Sequence, residues 1–237
     1  MNKPNNIESC ILCNSKSLNL LETVSVNSLD KLYFENFGFH IEDELNGLES
    51  IEFVECNNCS LRFFDPMAAG SARFYENLQN NRQVYYNPDR KEFDYAKSFV
   101  KSYYSVLEIG SGSGFFASKV NVENYIGLEF NDLAIEKAKA NNVKLIKKSI
   151  EEYSIETDKL FDIVCSFHVL EHVTNAKAFI ECSLKMLKSG GKLIIAVPCN
   201  DSVLINNVNH VLNLPPHHTS RWTFKALTNL AVIYEME

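Results

Sequence analysis

The stretch Val106-Leu107-Glu108-Ile109-Gly110-Ser111-Gly112-Ser113-Gly114 decides how this chain is read. Ser105–Ile109 is a short aliphatic strand, three glycines follow at alternate positions, and a helix over Phe115–Val120 begins where they stop. Glycine lets a backbone turn sharply and pass close to a ligand with no Cβ in the way. In open α/β sheets the ligand crevice lies beyond the carboxyl ends of the strands, so a glycine turn here would be its floor. The alternation continues outward from the loop. Residues 125–129 read as the next strand, Asn131 or Asp132 caps a helix over 133–140, and 143–147, 161–166 and 192–197 read as further strands. Thr174 caps a helix with Ala178, Phe179, Cys182, Leu184, Met186 and Leu187 on its apolar side, and Ser189-Gly190-Gly191 turns the chain. Ahead of the first strand, Pro88-Asp89 introduces a helix with Phe93, Ala96, Phe99, Val100 and Tyr103 at three- and four-residue spacing. Such alternation predicts an α/β fold, a parallel sheet covered on both faces.

A glycine turn can be a plain tight connection, and the acids around it argue for more. Glu129 closes the second strand 19 residues after Gly110, where a carboxylate can meet the two hydroxyls of a ribose. A nicotinamide dinucleotide would suit that carboxylate too, but its pyrophosphate calls for Gly-x-Gly-x-x-Gly at the helix start. The spacing here is Gly-x-Gly-x-Gly, with Glu108 inside the strand. A carboxylate there disfavours a pyrophosphate and suits a ligand bearing an ammonium and a sulfonium.

With the segments Phe161-Asp162-Ile163-Val164-Cys165-Ser166-Phe167-His168-Val169-Leu170-Glu171-His172-Val173 and Lys188-Ser189-Gly190-Gly191-Lys192-Leu193, residues 105–200 resemble the class I S-adenosylmethionine-dependent methyltransferases. The resemblance implies a Rossmann-like sheet and a cofactor site for S-adenosylmethionine, with S-adenosylhomocysteine as product. It implies that Glu108, Gly110, Ser111, Gly112, Gly114 and Phe115 face the methionine part. Glu129 and Phe130 would face the ribose and adenine, Ser149, Ile150 and Glu151 the adenine edge, and Phe167, His168 and Leu170 would line the cofactor from the fourth strand. Glu171 and His172 read better as a buried hydrogen-bonded pair than as catalysts. That sheet normally continues with a helix and two more strands. Here the helix 222–234 is present and the chain stops at Glu237, so truncation of the domain is expected.

Residues 1–65 read as a small β-rich lobe with little apolar content, which needs a staple. Cys10-Ile11-Leu12-Cys13 and Cys56-Asn57-Asn58-Cys59 supply it, since two Cys-x-x-Cys knuckles can surround a tetrahedral structural Zn²⁺. The 42 residues between the pairs leave room for an inserted hairpin or helix. Cys165, Cys182 and Cys199 read as core fillers. Residues 66–88 read as a connecting segment and 89–237 as the methyltransferase domain. A zinc lobe ahead of a class I core resembles a bacterial group that includes deoxysugar C-methyltransferases. That implies a small-molecule acceptor, with a sugar nucleotide or polysaccharide precursor among the candidates.

Methyl transfer needs an aligned acceptor and, where the acceptor is a weak nucleophile, a base. In Leu214-Pro215-Pro216-His217-His218-Thr219-Ser220-Arg221-Trp222 two imidazoles sit on a proline-stiffened turn. His218 is the candidate base, with His217 and Tyr85 or Tyr86 positioning substrate; a turn packed on Trp222 is the plainer reading. In the deoxysugar enzymes an acid precedes the histidine, and His217 departs from that pattern. Arg221 could hold a substrate phosphate or make an ion pair. An O- or N-methyltransferase, which needs no strong base, is the rival enzyme. A zinc-lobe interaction protein with a relic cofactor site is the rival from another class.

Residues 1–70 hold 4 Lys/Arg against 11 Asp/Glu, while 71–237 hold 19 of each, so no basic footprint for nucleic acid is present. No apolar run approaches the ~20 residues of a membrane helix. A polar start and cysteines grouped for metal rather than disulfides place the chain in the cytoplasm as an expectation.

Overall fold

The computed structural model describes residues 8–45, 47–81, 90–201 and 210–237. In chain order its strands and helices are β1 (Leu18–Ser25), α1 (Val26–Phe37), β2 (Ser50–Cys56), β3 (Arg62–Asp65), α2 (Ala72–Asn81), α3 (Lys91–Lys97), β4 (Ser105–Ile109), α4 (Phe115–Val120) and β5 (Asn124–Leu128). Then come α5 (Asp132–Ala140), β6 (Leu145–Ile146), α6 (Ile150–Glu156), β7 (Phe161–Phe167), α7 (Ala176–Lys185), β8 (Leu187–Ala196), β9 (Ser220–Arg221) and α8 (Phe224–Ile233). They fall into two compact units, one of Tyr86–Leu170 with Ala178–Val197, the other of Met1–Tyr85, Glu171–Lys177 and Pro198–Glu237.

The first of these holds a five-stranded parallel sheet in the order β6-β5-β4-β7-β8. All five residues of β4 are buried, as expected of a central strand covered on both faces. Phe93, Ala96, Val106, Phe116, Tyr125, Ile163, Cys165 and Phe167 form one core cluster. Helix starts follow capping chemistry. Asn131 accepts from Ala134 N–H at α5, and Ser149 and Glu152 close a reciprocal capping box on α6. Helix α3 ends at Lys97, so Phe99, Val100 and Tyr103, expected on its apolar stripe, lie beyond it. The strand expected over 192–197 starts earlier. Gly190 takes φ 74°, the ladder with β7 is irregular between Phe161 and Ile163, and regular pairing resumes at Ile163 with Lys192.

The other unit is a four-stranded sheet, β1-β2-β3-β9, antiparallel throughout. Helix α1 supplies the insertion between the cysteine knuckles, capped by Ser25 and ended by Gly38 in the left-handed region at φ 75°. The grouping departs from the boundaries read at 65 and 88. Strand β9 pairs Ser220 with Phe63 and Arg221 with Arg62, which gathers 198–237 into the N-terminal unit. Helix α2, within the stretch read as a connection, buries Phe74 and Leu78 with Leu29, Tyr33, Ile51 and Phe64, and Val211, Leu212 and Leu214 join them. The lobe therefore has a larger apolar core than residues 1–65 suggest, because its partners come from distant sequence. Among the described residues no helix is long and apolar enough to cross a membrane.

Candidate cofactor site and histidine cluster

In the parallel-sheet unit the loop after β4 folds as its glycines demand. Gly110, Gly112 and Gly114 have φ of 69°, 52° and 78°, where any side chain is strained. A Cβ on Gly110 would also lie 2.3 Å from Val169 Cγ2. The loop is tied to the neighbouring strand by Gly110 N–H and Ser111 N–H, both donating to Leu128 O, at 2.8 and 3.0 Å. Gly127 lacks the Cβ that would strike Ser111 Oγ at 2.5 Å, so this approach depends on glycine in β5.

Glu129 stands just past the end of β5, as read from sequence. Its Oε2 accepts from Gly112 N–H at 2.7 Å, and its Oε1 accepts from Phe130 N–H and Asn131 N–H at 2.7 and 2.8 Å. A carboxylate offers about four acceptor positions. Three are in use, so a ribose diol, which needs two, has to displace one of these N–H groups. Phe130 is 61% exposed, an uncovered aromatic face beside that carboxylate. Ser149 spends its side chain on the α6 capping box, Ile150 is buried and Glu151 is half-buried. Phe167 packs against Phe93 and Phe116, Leu170 is fully buried, and Phe115 is half-buried at the start of α4. His168 adopts φ 58° and its Nε2 lies 2.7 Å from Glu92 Oε1, a partner invisible in the sequence. Glu108 is buried and accepts from the Tyr125 hydroxyl. Burial pushes its carboxyl up to about 8 against the pull of Tyr125, so it is largely neutral at pH 7.

In the antiparallel unit the four cysteines expected to bind metal come together. Cys10 and Cys59 sulfurs are 3.5 Å apart and Cys13 and Cys56 sulfurs 3.6 Å apart, all four within 4.8 Å of one another. Cys165 is a core filler as read, whereas Cys182 is half-buried and Cys199 exposed, since neither points into a packed interior.

His217 and His218 are buried and stack at 4.6 Å. His172, read as part of a structural pair, joins them with ring centroids 4.6 and 4.8 Å from His217 and His218. The turn is held by Thr219 N–H and Ser220 N–H, which both donate to Glu171 O. Tyr75 Oη lies 3.2 Å from His172 Nδ1. The sequence reading offered Tyr85 or Tyr86 for such a place, and both lie outside the described residues. The Leu-Glu-His segment was the available signal for His172; Tyr75 had none beyond being aromatic. Arg221 stacks over Phe53 and Phe64 at 4.6 and 5.2 Å and donates to Asn213 O. Its burial lowers its pKa to about 10.

A five-stranded parallel sheet with a three-glycine loop after its central strand, and a carboxylate at the end of the adjoining one, is the arrangement of the class I S-adenosylmethionine-dependent methyltransferases. A family model described as a methyltransferase domain matches residues 100–230, and the chain belongs to that family. The chain is 34% identical over 125 residues to a ubiquinone biosynthesis O-methyltransferase of Rickettsia akari, covering 46% of this chain and 48% of that protein. It is 28% identical over 141 residues to the mitochondrial ubiquinone biosynthesis O-methyltransferase of Dictyostelium discoideum, covering 50% and 44%. The chain thus spans about half the length of the curated relatives it matches. A SAM-dependent methyltransferase from Archaeoglobus fulgidus shares the fold with a TM-score of 0.55 at 20% identity, covering 68% of this chain and 72% of that one.

Proposed function

We propose that this chain binds S-adenosylmethionine at the glycine loop and transfers its methyl group to a small molecule. The observation that carries the reading is the loop Gly110–Gly114, three glycines in the left-handed region bound through Gly112 N–H to the Glu129 carboxylate. These residues fit the cofactor. The loop is a cradle that a Cβ would fill, and Glu129 offers its carboxylate to hydroxyls beside the uncovered ring of Phe130. When bound, S-adenosylmethionine supplies an electrophilic methyl carbon. Gly110, Ser111, Gly112, Gly114 and Phe115 would hold the methionine part, and Glu129 and Phe130 the ribose and adenine. Ser149 and Glu151 would mark the adenine edge, and His168 the wall beyond β7. Ile150, Phe167 and Leu170 shape that wall by core packing.

Calorimetry on the intact chain tests this. S-adenosylhomocysteine should bind, and Glu129→Ala should weaken binding by about a hundredfold, the loss expected of removing a charged hydrogen-bonding partner. Absence of binding by the native chain would leave the interaction-protein reading standing.

The proposed proton acceptor is His218. Its Nδ1 donates to Asn213 Oδ1, so Nε2 is the basic nitrogen, and His217 is proposed to position the acceptor. The acceptor is proposed to be a nucleotide-linked sugar or a polysaccharide precursor, following the zinc-lobe resemblance. O-transfer is the second reading, favoured by relatives named O-methyltransferases. With a C-acceptor, His218→Ala should lower kcat by about 10²–10⁴ with cofactor affinity unchanged. Retention of turnover within a few fold would exclude His218 as base. The zinc proposed for the cysteines is structural and takes no part in transfer.

A further inference from the structure

We infer that His172, His217 and His218 form a binding site for one divalent transition-metal ion, separate from the four cysteines. The inference does not depend on cofactor binding at the glycine loop, and it competes with the proposed role of His218 as base. One ring nitrogen from each of the three imidazoles lies within 4.8 Å of the others. A tetrahedral ion with bonds of about 2.0–2.1 Å holds its nitrogens roughly 3.3 Å apart, within reach of small ring rotations from this arrangement.

The ring tautomers are what point to a metal. His172 Nδ1 lies 2.5 Å from His217 O and His217 Nδ1 lies 2.7 Å from Leu212 O. A carbonyl oxygen only accepts, so both Nδ1 atoms carry the proton. For His218 the partner is Asn213 Oδ1 at 3.1 Å, and a chain of bonds fixes which end of that amide is oxygen. Asn200 Nδ2 donates to Trp222 O, Asn213 Nδ2 donates to Asn200 Oδ1, and Asn213 Oδ1 is left to accept from His218 Nδ1. All three neutral imidazoles therefore carry their lone pair on Nε2. Anchoring one ring nitrogen on an oxygen acceptor while the other serves as ligand is how proteins orient metal-binding histidines. Glu171 brings the countercharge. Its Oε1 lies 3.8 Å from His172 Nε2 and 3.9 Å from His218 Nε2, and its side chain is buried. An all-imidazole set beside one carboxylate suits Zn²⁺, Co²⁺, Ni²⁺ or Fe²⁺ and not Mg²⁺ or Ca²⁺, which take oxygen ligands. Three protein nitrogens also leave a coordination position open. Metal at His218 Nε2 and proton transfer to that nitrogen exclude one another, so the loaded cluster is closed to acid–base work by His218.

Titration of the full chain with Co²⁺, followed by absorption and calorimetry, tests the site. One Co²⁺ should bind per chain with a ligand-field spectrum that lacks the thiolate charge-transfer band the cysteines would give. His172→Gln and His218→Gln should each weaken that binding at least about tenfold, with near-ultraviolet circular dichroism and cysteine-bound metal content unchanged. The inference is overturned by no uptake, by uptake showing only the thiolate band, or by unchanged affinity in a folded variant. Should one variant fail to fold, the other decides; should both fail, X-ray absorption on the native chain decides, with imidazole-only nitrogen ligation supporting the site and sulfur ligation refuting it.

Discussion

Replacing Cys59 with serine is expected to abolish the zinc binding proposed for the four cysteines and to unfold the end of the antiparallel unit where the knuckles meet. The two knuckles are built alike. Asn14 N–H donates to Cys10 O and Ser60 N–H to Cys56 O, with Asn14 and Ser60 both in the left-handed region at φ 57° and 62°. The turns aim four sulfurs at one point, and bonds of about 2.3 Å to a tetrahedral ion require sulfurs roughly 3.8 Å apart. The observed 3.5 and 3.6 Å are close to that before any ion pulls on them. Without metal the sulfurs share protons: the Cys59 thiol bonded to Cys10 draws Cys10 down to about 5, while Cys59 itself is pushed up. Zinc supplies about 10–16 kcal/mol in domains that have little else. Here Leu29, Tyr33, Phe64 and Phe74 form a core of their own, so the loss should be smaller, on the order of several kcal/mol. Zinc bound through the cysteines should fall from about one ion per chain to none in Cys59→Ser, with the melting temperature falling alongside. A native chain that purifies without zinc, or a variant with an unchanged melt, would sink the proposal.

The parallel sheet was legible in the sequence because its evidence is local. A strand, a glycine turn and a helix within the sixteen residues 105–120 leave few alternatives, and the strands read at 105–109, 125–129 and 161–166 match β4, β5 and β7 within a residue at each end. The cysteine pairs were legible for the same reason, since each knuckle is four residues long. What escaped depends on contacts between distant segments. Only Ser220 and Arg221 pair with β3, too short a strand to show a period, yet they gather the last forty residues into the lobe. Tyr75 meets His172 across 97 positions, and no pattern in either neighbourhood announces it. His172 was visible as a motif residue but was read as structural, because its two imidazole neighbours lie 45 and 46 positions away. Glu108 was read as a charged carboxylate beside the loop; burial next to Tyr125 instead pushes its carboxyl up, a charge state that no local pattern reveals.

That charge state sets the second large effect, a stability that falls with pH and is flattened by Glu108→Gln. The folded carboxyl holds its proton up to about 8, whereas an unfolded glutamate loses it near the ordinary 4.5. Below 4.5 both states are protonated and the difference has no consequence. Between 4.5 and 8 the unfolded chain releases a proton that the folded chain keeps, which favours unfolding by about 1.4 kcal/mol per pH unit. Above 8 both are ionised and the penalty is constant, at roughly 4–5 kcal/mol. A glutamine in the same place still accepts from the Tyr125 hydroxyl and has no proton to lose, so its stability should be flat where the native chain declines. Urea unfolding at pH 5, 6.5 and 8 should show the two proteins close at pH 5 and the variant ahead by several kcal/mol at pH 8; parallel curves would mean that Glu108 is ionised in the folded chain. The same proton bears on the proposed ligand. A sulfonium and an ammonium near Glu108 would favour its anion, so S-adenosylmethionine should bind with release of a proton at pH 7, detectable as a dependence of calorimetric heat on the buffer. In Glu108→Gln that dependence should vanish. If the native chain binds with no proton released, the acid serves the Tyr125 hydrogen bond and the packing of the sheet, not the cation.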